Sequence, residues 1–215
     1  MNVERVVVGN LRTNTWIVEG IPETPGSKPQ LLIIDPGDEA DKILDAVGER
    51  PVAGVFLTHG HFDHLGAADE VADETGSFLY ISAAEAAVLS EGLADASRRY
   101  QLDIEVPRID FQLNEGDVLR LAGLEIEVII TPGHSPGSAG YLVREPGSEQ
   151  IHYFSGDTLF ARDVGRTDLL GGDPEAMDVS LSRITQMPPD TQVYPGHGPA
   201  TTILRESRAN SWWPA

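Results

Sequence analysis

The sequence predicts an α/β fold, in the broad sense that includes α+β arrangements, built by a single domain over residues 1–215. Apolar, partly β-branched runs typical of buried strands alternate with stretches of helical spacing along the chain. The length suits one large domain or two small ones, and a chain that is 40% hydrophobic can bury a substantial core. No change in composition marks a linker, so we expect one domain.

The first half of the chain predicts five strands and several helices. The strand candidates occupy residues 3–8, 14–19, 31–34, 52–58 and 78–81. Helical spacing predicts helices over 39–48, over 65–74 and from Ala83, with Asp38 and Ser82 as N-terminal caps and Gly76 as a C-terminal cap. The polar stretch 90–108 predicts irregular structure with short helices, forming either a lid or rim of a site or an ordinary surface connection.

The second half of the chain is richer in strand candidates. Ala122 and Gly123 predict a hairpin turn between strands over 117–121 and 124–130. Further strands are predicted over 140–143, 151–155 and 192–194. Pro174 suits the first turn of a helix over 174–185.

The composition argues against several classes of function. The formal charge is −19, from 34 acidic and 15 basic residues, so the surface repels polyanions and a nucleic-acid partner is not expected. The chain has no cysteine, which excludes disulfides, thiolate metal sites and cysteine nucleophiles. No apolar run approaches the ~20 residues that cross a bilayer, and the N-terminus lacks the features of a signal peptide. We therefore expect a cytoplasmic protein without a membrane partner.

The stretch from Thr58 to Gly66 contains three of the six histidines of the chain, with a carboxylate among them. Neutral imidazole nitrogens and carboxylate oxygens are ligands that Zn²⁺, Fe²⁺ and Mn²⁺ accept. The stretch follows the strand candidate 52–58, so these side chains are expected where a strand ends and a loop begins. The sequence therefore predicts a metal site at this point.

Four strand candidates end in the same way, with a histidine or aspartate at or shortly after the strand end, three times after a glycine. Ligating side chains at the ends of adjacent strands can meet in one cleft. Seven candidate ligands result: His59, His61, Asp63, His64, His134, Asp157 and His197. Seven are too many for one tetrahedral zinc, but they suit two ions that share a carboxylate and a hydroxide. The remaining histidine, His152, is expected to be packed or to face the surface.

The run His59-Gly60-His61-Phe62-Asp63-His64 resembles the His-x-His-x-Asp-His signature of the metallo-β-lactamase superfamily, and the three later ligands follow in that superfamily's order. The resemblance implies a four-layer αβ/βα sandwich of two mixed β-sheets flanked by helices. The loop 165–168, Gly-Arg-Thr-Asp, resembles the short single-domain branch of the glyoxalase II-like (hydroxyacylglutathione hydrolase-like) enzymes.

This resemblance implies two divalent metal ions, with zinc as the first choice and iron or manganese as alternatives. His59, His61 and His134 would hold one ion. Asp63, His64 and His197 would hold the other, and Asp157 would bridge both. Asp63 and Asp157 are the predicted catalytic carboxylates.

Three further residues are predicted around the metal ligands. Asp35 is expected to accept a ring N–H from a ligand histidine, or only to form the turn before Pro36. Arg166 and Asp168 are expected to fix the rim of the site as an ion pair or to face an anionic substrate. Their alternative is a purely structural role in the loop.

The expected activity is hydrolysis of a thioester, S-lactoylglutathione or a related S-acyl thiol, by a metal-bridging hydroxide. The alternatives are a persulfide dioxygenase with one iron at His59, His134 and Asp157, and a lactonase or β-lactam hydrolase. In persulfide dioxygenases the last histidine typically lies in a Pro-Ala-His-Asp sequence. This chain has Pro195-Gly196-His197-Gly198 instead, which favours the hydrolase.

Only 18 residues follow His197, so we do not expect the glutathione-binding helical domain of full-length glyoxalase II enzymes, and the thiol carrier stays open. Trp212 and Trp213, within this segment, are expected either to pack on the edge of the core or to join a homodimer contact.

Overall fold

The computed structural model describes residues 1–22, 24 and 26–214, and it is built around two six-stranded sheets. The first sheet contains β1 (Asn2–Val8), β2 (Thr13–Glu19), β3 (Leu31–Ile34), β4 (Val52–Phe56), β5 (Leu79–Ser82) and β6 (Phe111–Leu113), in that spatial order. The pairs from β1 to β3 are antiparallel and those from β3 to β6 are parallel, so the sheet is mixed.

The second sheet is also mixed. It contains β7 (Val118–Leu121), β8 (Leu124–Ile130), β9 (Ala139–Arg144), β10 (His152–Gly156), β13 (Gln192–Pro195) and β14 (Thr201–Thr202). Their spatial order is β14-β13-β10-β9-β8-β7, with β10 and β13 parallel and the other neighbours antiparallel. A small ribbon of β11 (Leu159–Phe160) and β12 (Asp163–Val164) follows β10.

Helices cover the outer faces of both sheets. They are α1 (Ala40–Val47), α2 (Phe62–Leu65), α3 (Ala68–Thr75), α4 (Ala83–Tyr100), α5 (Pro174–Ile184) and α6 (Ile203–Ala209). One apolar core joins the first sheet to α1, α3 and α4, a second fills the space between the sheets, and a third joins the second sheet to α5. This is the predicted four-layer sandwich, and the predicted fold class is confirmed.

The alternation of side chains along the strands explains the layers. In β3, Leu31 and Ile33 belong to the core beneath the helices, whereas Leu32 and Ile34 belong to the core between the sheets. Successive side chains of a strand point to opposite faces, so a strand between two cores is apolar throughout. A continuous apolar run in the sequence therefore marks the centre of the sandwich.

The prediction of irregular structure over 90–108 was wrong for its first half. α4 continues to Tyr100, because Leu89 and Leu93 are buried along one face of the helix. Irregular backbone begins only at Gln101 and reaches to β6. The polar residues of this stretch lie on the exposed face of one long helix, which the sequence pattern did not reveal.

Two other helix predictions need correction. Asp38 does not cap α1: Glu39 occupies the N-cap position with φ of 51°, and the Asp38 carboxylate accepts the N–H of Glu39. The helix predicted over 65–74 is two helices, α2 and α3, with a break between Leu65 and Ala68. The predicted caps Ser82 and Gly76 are confirmed.

The sequence did not predict the elements that follow His197, which are β14 and α6. The buried carboxylate of Glu206 in α6 accepts hydrogen bonds from the backbone N–H of Arg162 at 2.7 Å and from Asn210 Nδ2 at 3.0 Å. Trp213 packs against the core beneath α5, as one of the two predictions for the tryptophans had it, whereas Trp212 is exposed. Among the described residues, no helix combines the length and the apolar character needed to cross a membrane.

We predict that Gly37→Ala destabilises the protein, whereas Gly92→Ala stabilises it. A Cβ atom at Gly37 would lie 1.8 Å from the backbone oxygen of Asp63, while one at Gly92 in α4 would meet nothing within 4 Å. Overpacking against backbone costs about 3 kcal/mol, and alanine gains about 0.5–1 kcal/mol over glycine inside a helix. Thermal unfolding should show a melting temperature lower by several degrees for Gly37→Ala and slightly higher for Gly92→Ala. A Gly37→Ala protein that melts with the wild type would contradict this packing.

Candidate metal centre

All seven predicted ligands lie at one end of the sandwich. His59 and His61 follow β4, and α2 carries Asp63 and His64. The other three follow β8, β10 and β13: His134, Asp157 and His197. Backbone hydrogen bonds hold these loops together, from Ala139 N to Thr58 O at 2.8 Å and from Gly196 N to Gly156 O at 2.9 Å. The structure thus gathers side chains from both sheets around one point.

The first group, which we call the first triad, consists of His59, His61 and His134. Nδ1 of His61 lies 3.1 Å from Nε2 of His59 and 2.8 Å from Nε2 of His134. One ligand atom from each residue falls within 4.8 Å of the other two, a spacing that a single ion can bridge. This is the set that the family resemblance assigned to the first ion.

The second triad consists of Asp63, His64 and His197. Nε2 of His197 lies 3.3 Å from Nε2 of His64 and 3.3 Å from Oδ2 of Asp63. Oδ2 of Asp63 lies 3.5 Å from Nε2 of His64. The three ligand atoms again lie within 4.8 Å of one another, in the grouping that the family resemblance assigned to the second ion.

Asp157 lies between the two triads. Its Oδ2 is 3.5 Å from Nε2 of His134 and 3.5 Å from Nε2 of His197, and its Oδ1 is 3.5 Å from Nε2 of His64. Oδ1 is buried and has no hydrogen-bond partner within the described chain. A buried carboxylate oxygen without a partner is costly, so this atom needs a cation or a bound water.

The chemistry of the ring nitrogens fits bound cations. Nδ1 of His134 donates to the carbonyl of Arg166 at 2.8 Å, so its Nε2 directs a lone pair into the site. Nδ1 of His64 lies 3.0 Å from Oδ2 of Asp35, so in the neutral ring its Nε2 directs a lone pair into the same site. Lone pairs that face one another at about 3 Å repel unless positive charge lies between them. The chemistry of these side chains therefore fits divalent cations held by the triads.

Two histidines of the first triad, His59 and His61, are neutral. Burial, aided by the charges of His134 and His64, lowers the pKa of His61 to about 4. Burial and the neighbouring imidazoles also hold the pKa of His59 well below its usual range. Both rings are therefore unprotonated at neutral pH, the state that a metal ligand requires.

The second triad lies in a field that favours positive charge. Burial alone would lower the pKa of His64, but the carboxylates of Asp157, Asp63 and Asp35 outweigh it and raise that pKa well above its usual range. Burial would raise the pKa of Asp63, yet His64 and hydrogen bonds from His197 and Thr13 hold it below its usual range. The same field that favours a proton here favours a divalent cation.

The match to known proteins agrees with this geometry. The model of the metallo-beta-lactamase superfamily matches residues 8–197. The chain belongs to the metallo-beta-lactamase superfamily. It is 34% identical to the probable metallo-hydrolase YqgX of Bacillus subtilis, over 98% of this chain and 96% of that protein. It is 32% identical to the hydroxyacylglutathione hydrolase GloC of Haemophilus influenzae, over 98% and 97% of the two chains.

Solved structures share this superfamily fold. TTHA1623 in a di-iron-bound form superposes with a TM-score of 0.79 at 38% identity, over 97% of this chain and 99% of that one. The B3 metallo-beta-lactamase BLEG-1 superposes with a TM-score of 0.88 at 30% identity over the whole of both chains. ETHE1 from Myxococcus xanthus gives a TM-score of 0.75 at 28% identity, over 98% and 84%.

Asp35 and the loop that carries Arg166 both contact histidines of the two triads. Asp35 is buried, and its Oδ2 contacts His64 as predicted and also accepts from Oγ1 of Thr58 at 2.7 Å. Arg166 and Asp168 form the predicted ion pair, with contacts of 2.6 and 2.8 Å, and both side chains are exposed. The Arg166 guanidinium lowers the pKa of Asp168 to about 2. The carbonyl of Arg166, which the sequence analysis did not consider, is the group that contacts His134.

Sequence reasoning missed several residues behind the ligands. Thr13 donates from Oγ1 to Oδ2 of Asp63 at 2.8 Å. Nδ2 of Asn14 donates to the carbonyls of Pro195 and Gly198, on either side of His197. Polar residues at the start of a strand are common, so nothing in the sequence distinguished these two. Glu85 is a further case, and Ser82-x-x-Glu85 would have signalled only a helix cap.

A cleft of about 850 Å³ opens over the two triads. Ligand-type side chains from both triads line its floor, and its rim includes Leu11, Tyr100, Arg166 and Leu170. Its volume lies within the range of small-molecule sites in proteins. The site is therefore open to a substrate of that size.

We predict that the metal-free protein loses stability as the pH falls from about 6.5 to 4. The folded-state pKa of His61 is about 4, below the unfolded value of 6.5. The unfolded chain therefore binds more protons in this window, and the free energy of unfolding decreases with falling pH, by at most about 3.4 kcal/mol for this group. Urea unfolding of the chelator-treated protein should show a shallower pH dependence for His61→Gln than for the wild type. Parallel curves for the two proteins would contradict the assignment.

Proposed function

We propose that this protein is a metal-dependent hydrolase that cleaves a thioester, S-lactoylglutathione or a related S-acyl thiol, with two divalent cations. The observation that carries the proposal is that the two triads lie side by side, with the Asp157 carboxylate 3.5 Å from a histidine of each. The similarity to a hydroxyacylglutathione hydrolase over nearly the whole of both chains supports the thioester as substrate.

The first triad would hold one cation and the second triad the other, with the Asp157 carboxylate between them. Two cations bound there would lower the pKa of a shared water toward neutrality and polarise the thioester carbonyl. Zinc is our first choice, since imidazole and carboxylate suit it, but iron and manganese accept the same donors. A relative at 38% identity, TTHA1623, has been solved in a di-iron-bound form, which supports iron as the alternative metal.

Asp63 is the side chain best placed to handle the proton of the attacking water. Oδ2 of Asp63 is fixed by Oγ1 of Thr13 and lies 3.3 Å from Nε2 of His197. Its lowered pKa keeps the carboxylate ionised at neutral pH, so it can orient the nucleophile by accepting a hydrogen bond from it. Its neighbours hold the oxygen in one position, which limits the reorganisation needed during the reaction.

The dimensions of the cleft support a small-molecule substrate. A volume of about 850 Å³ can take an acylated tripeptide thiol. Arg166 at the rim is already paired with Asp168, so the carboxylate of Asp168 offsets much of its positive charge. We infer that the acyl thioester, rather than a charged end group, makes the main contacts near the triads.

The alternative reactions differ in how well they fit the two triads. A persulfide dioxygenase with one iron at His59, His134 and Asp157 would leave the second triad without a role. A β-lactam hydrolase would use the same donor set, and BLEG-1 is a B3 metallo-beta-lactamase of the same fold. The choice between a β-lactam and a thioester then depends on the rim of the cleft rather than on the triads.

We predict about two ions per chain in the purified protein and hydrolysis of S-lactoylglutathione that thorough chelation abolishes. Elemental analysis and an assay of released thiol measure the two quantities on one sample. Restoring the metal should restore the activity. One iron per chain with oxygen uptake on a persulfide would instead support the dioxygenase.

We predict that Asp63→Asn lowers kcat by about 10²-fold or more, the usual cost of misplacing a reacting group by about 1 Å. The amide keeps the shape of the side chain but cannot accept the hydrogen bond in the same way or offset the charge of His64. Asp41→Asn, at an exposed position of α1, is the matched control and should leave kcat unchanged. Equal kcat values for Asp63→Asn and the wild type would remove Asp63 from the chemistry.

A further inference from the structure

Glu85 is a buried carboxylate, 3% exposed, in the first turn of α4, and it is not one of the seven candidate ligands. Its Oε1 accepts the backbone N–H of Gly60 at 2.8 Å. Its Oε2 accepts the hydroxyl of Ser135 and the N–H of Gly137, both at 2.8 Å. Because an ionised side chain is costly to bury, a carboxylate placed here calls for a compensating role.

Every contact of this carboxylate falls on a segment that carries the first triad. Gly60 lies between His59 and His61, and Ser135 directly follows His134. The second triad has different supports, since Asp63 is held by Thr13 and His64 by Asp35. The structure thus gives each triad its own buried hydrogen-bonding group.

The start of α4 is seated firmly against these segments. Oγ of Ser82 accepts the N–H of Glu85 at 3.0 Å and donates to the carbonyl of Gly137 at 2.5 Å. A Cβ atom at Gly137 would lie 2.0 Å from the backbone nitrogen of Glu85. No lysine or arginine within residues 1–22, 24 and 26–214 forms an ion pair with Glu85. Its charge is therefore held in one place and is not balanced by a basic side chain.

We propose that Glu85 is a positioning residue that sets the affinity of the first triad for its cation. It clamps the two segments that carry His59, His61 and His134, and it places a buried negative charge behind them. The proposal rests on the metal-dependent hydrolase proposed above. Groups that support metal ligands from behind typically contribute 10–100-fold to metal affinity.

The test is a titration of the metal-free protein with Zn²⁺ against a chromophoric chelator, in two backgrounds. His197→Ala keeps the first triad intact, and His134→Ala keeps the second. Glu85→Gln should weaken Zn²⁺ binding 10–100-fold in the His197→Ala background and leave it unchanged in the His134→Ala background. The amide removes the negative charge and directs its NH₂ group at N–H donors of the ligand segments.

Glu206→Gln is the matched control. Glu206 is also a buried carboxylate, 2% exposed, and its oxygens accept from Arg162 N, Thr201 Oγ1 and Asn210 Nδ2, away from the triads. The control should lower the melting temperature without changing Zn²⁺ affinity in either background. Equal losses of affinity for Glu85→Gln and Glu206→Gln would overturn the proposal, because the effect would then be general destabilisation.

A second measurement does not depend on metal. In the metal-free protein, Glu85→Gln should accelerate amide hydrogen exchange at Gly60 and Gly137, and Glu206→Gln should not. If Glu85→Gln does not fold, Ser135→Ala removes one donor while keeping the carboxylate, and it should weaken Zn²⁺ binding in the same direction by a smaller factor.

The outcomes separate the two proposals. A wild-type chain that binds no metal overturns the proposed function and the role of Glu85 together. A wild type that binds two ions and hydrolyses thioesters, with unchanged first-triad affinity in Glu85→Gln, overturns the role of Glu85 alone.

Discussion

The structure depends on one electrostatic constraint, which is that the ligand atoms of seven imidazole and carboxylate side chains crowd around a common centre. His64 Nε2 and His197 Nε2 lie 3.3 Å apart, and Oδ1 of Asp157 is buried without a hydrogen-bond partner in the described chain. Such an arrangement is unfavourable in a low-dielectric interior unless cations compensate it. The two sheets and the loops between them are arranged so that the backbone keeps these donors in place.

The sandwich makes this possible because the ligand segments are bonded to one another across both sheets. The loop after β4 bonds to the start of β9, and the loop after β13 bonds to the end of β10. Asn14, from β2, is not one of the candidate ligands, but its side-chain amide donates to backbone carbonyls on both sides of His197 and so fixes that loop. Rigid supports of this kind place ligands before the ion arrives, which lowers the entropic cost of binding.

Much of the fold followed from local sequence patterns. β3 was predictable because it is apolar at every position, and the turn at Ala122 and Gly123 because a glycine lies between two strand candidates. Both turn residues adopt positive φ, as a tight hairpin requires. The His59–His64 run was predictable because its spacing is dense and its position follows a strand. The length of α4 was not, since its polar face conceals a buried stripe at Leu89 and Leu93.

The supports behind the ligands could not be predicted, for a physical reason. Thr13 and Asp63 are 50 residues apart, and Glu85 and Gly137 are 52 apart, so their contacts exist only after the sheets have assembled. A single sequence holds no record of such pairings. Ser82 and Glu85 illustrate the difficulty: the local pattern is that of a helix cap, while the carboxylate serves two distant loops.

The most direct test of the account is a crystal structure of the zinc-loaded protein with anomalous scattering measured at the zinc edge. We expect two anomalous peaks, one bounded by His59, His61 and His134 and the other by Asp63, His64 and His197, with Asp157 touching both. A single peak within the first triad, with the second triad lacking metal at saturating zinc, would contradict the claim that these seven side chains form one dinuclear centre.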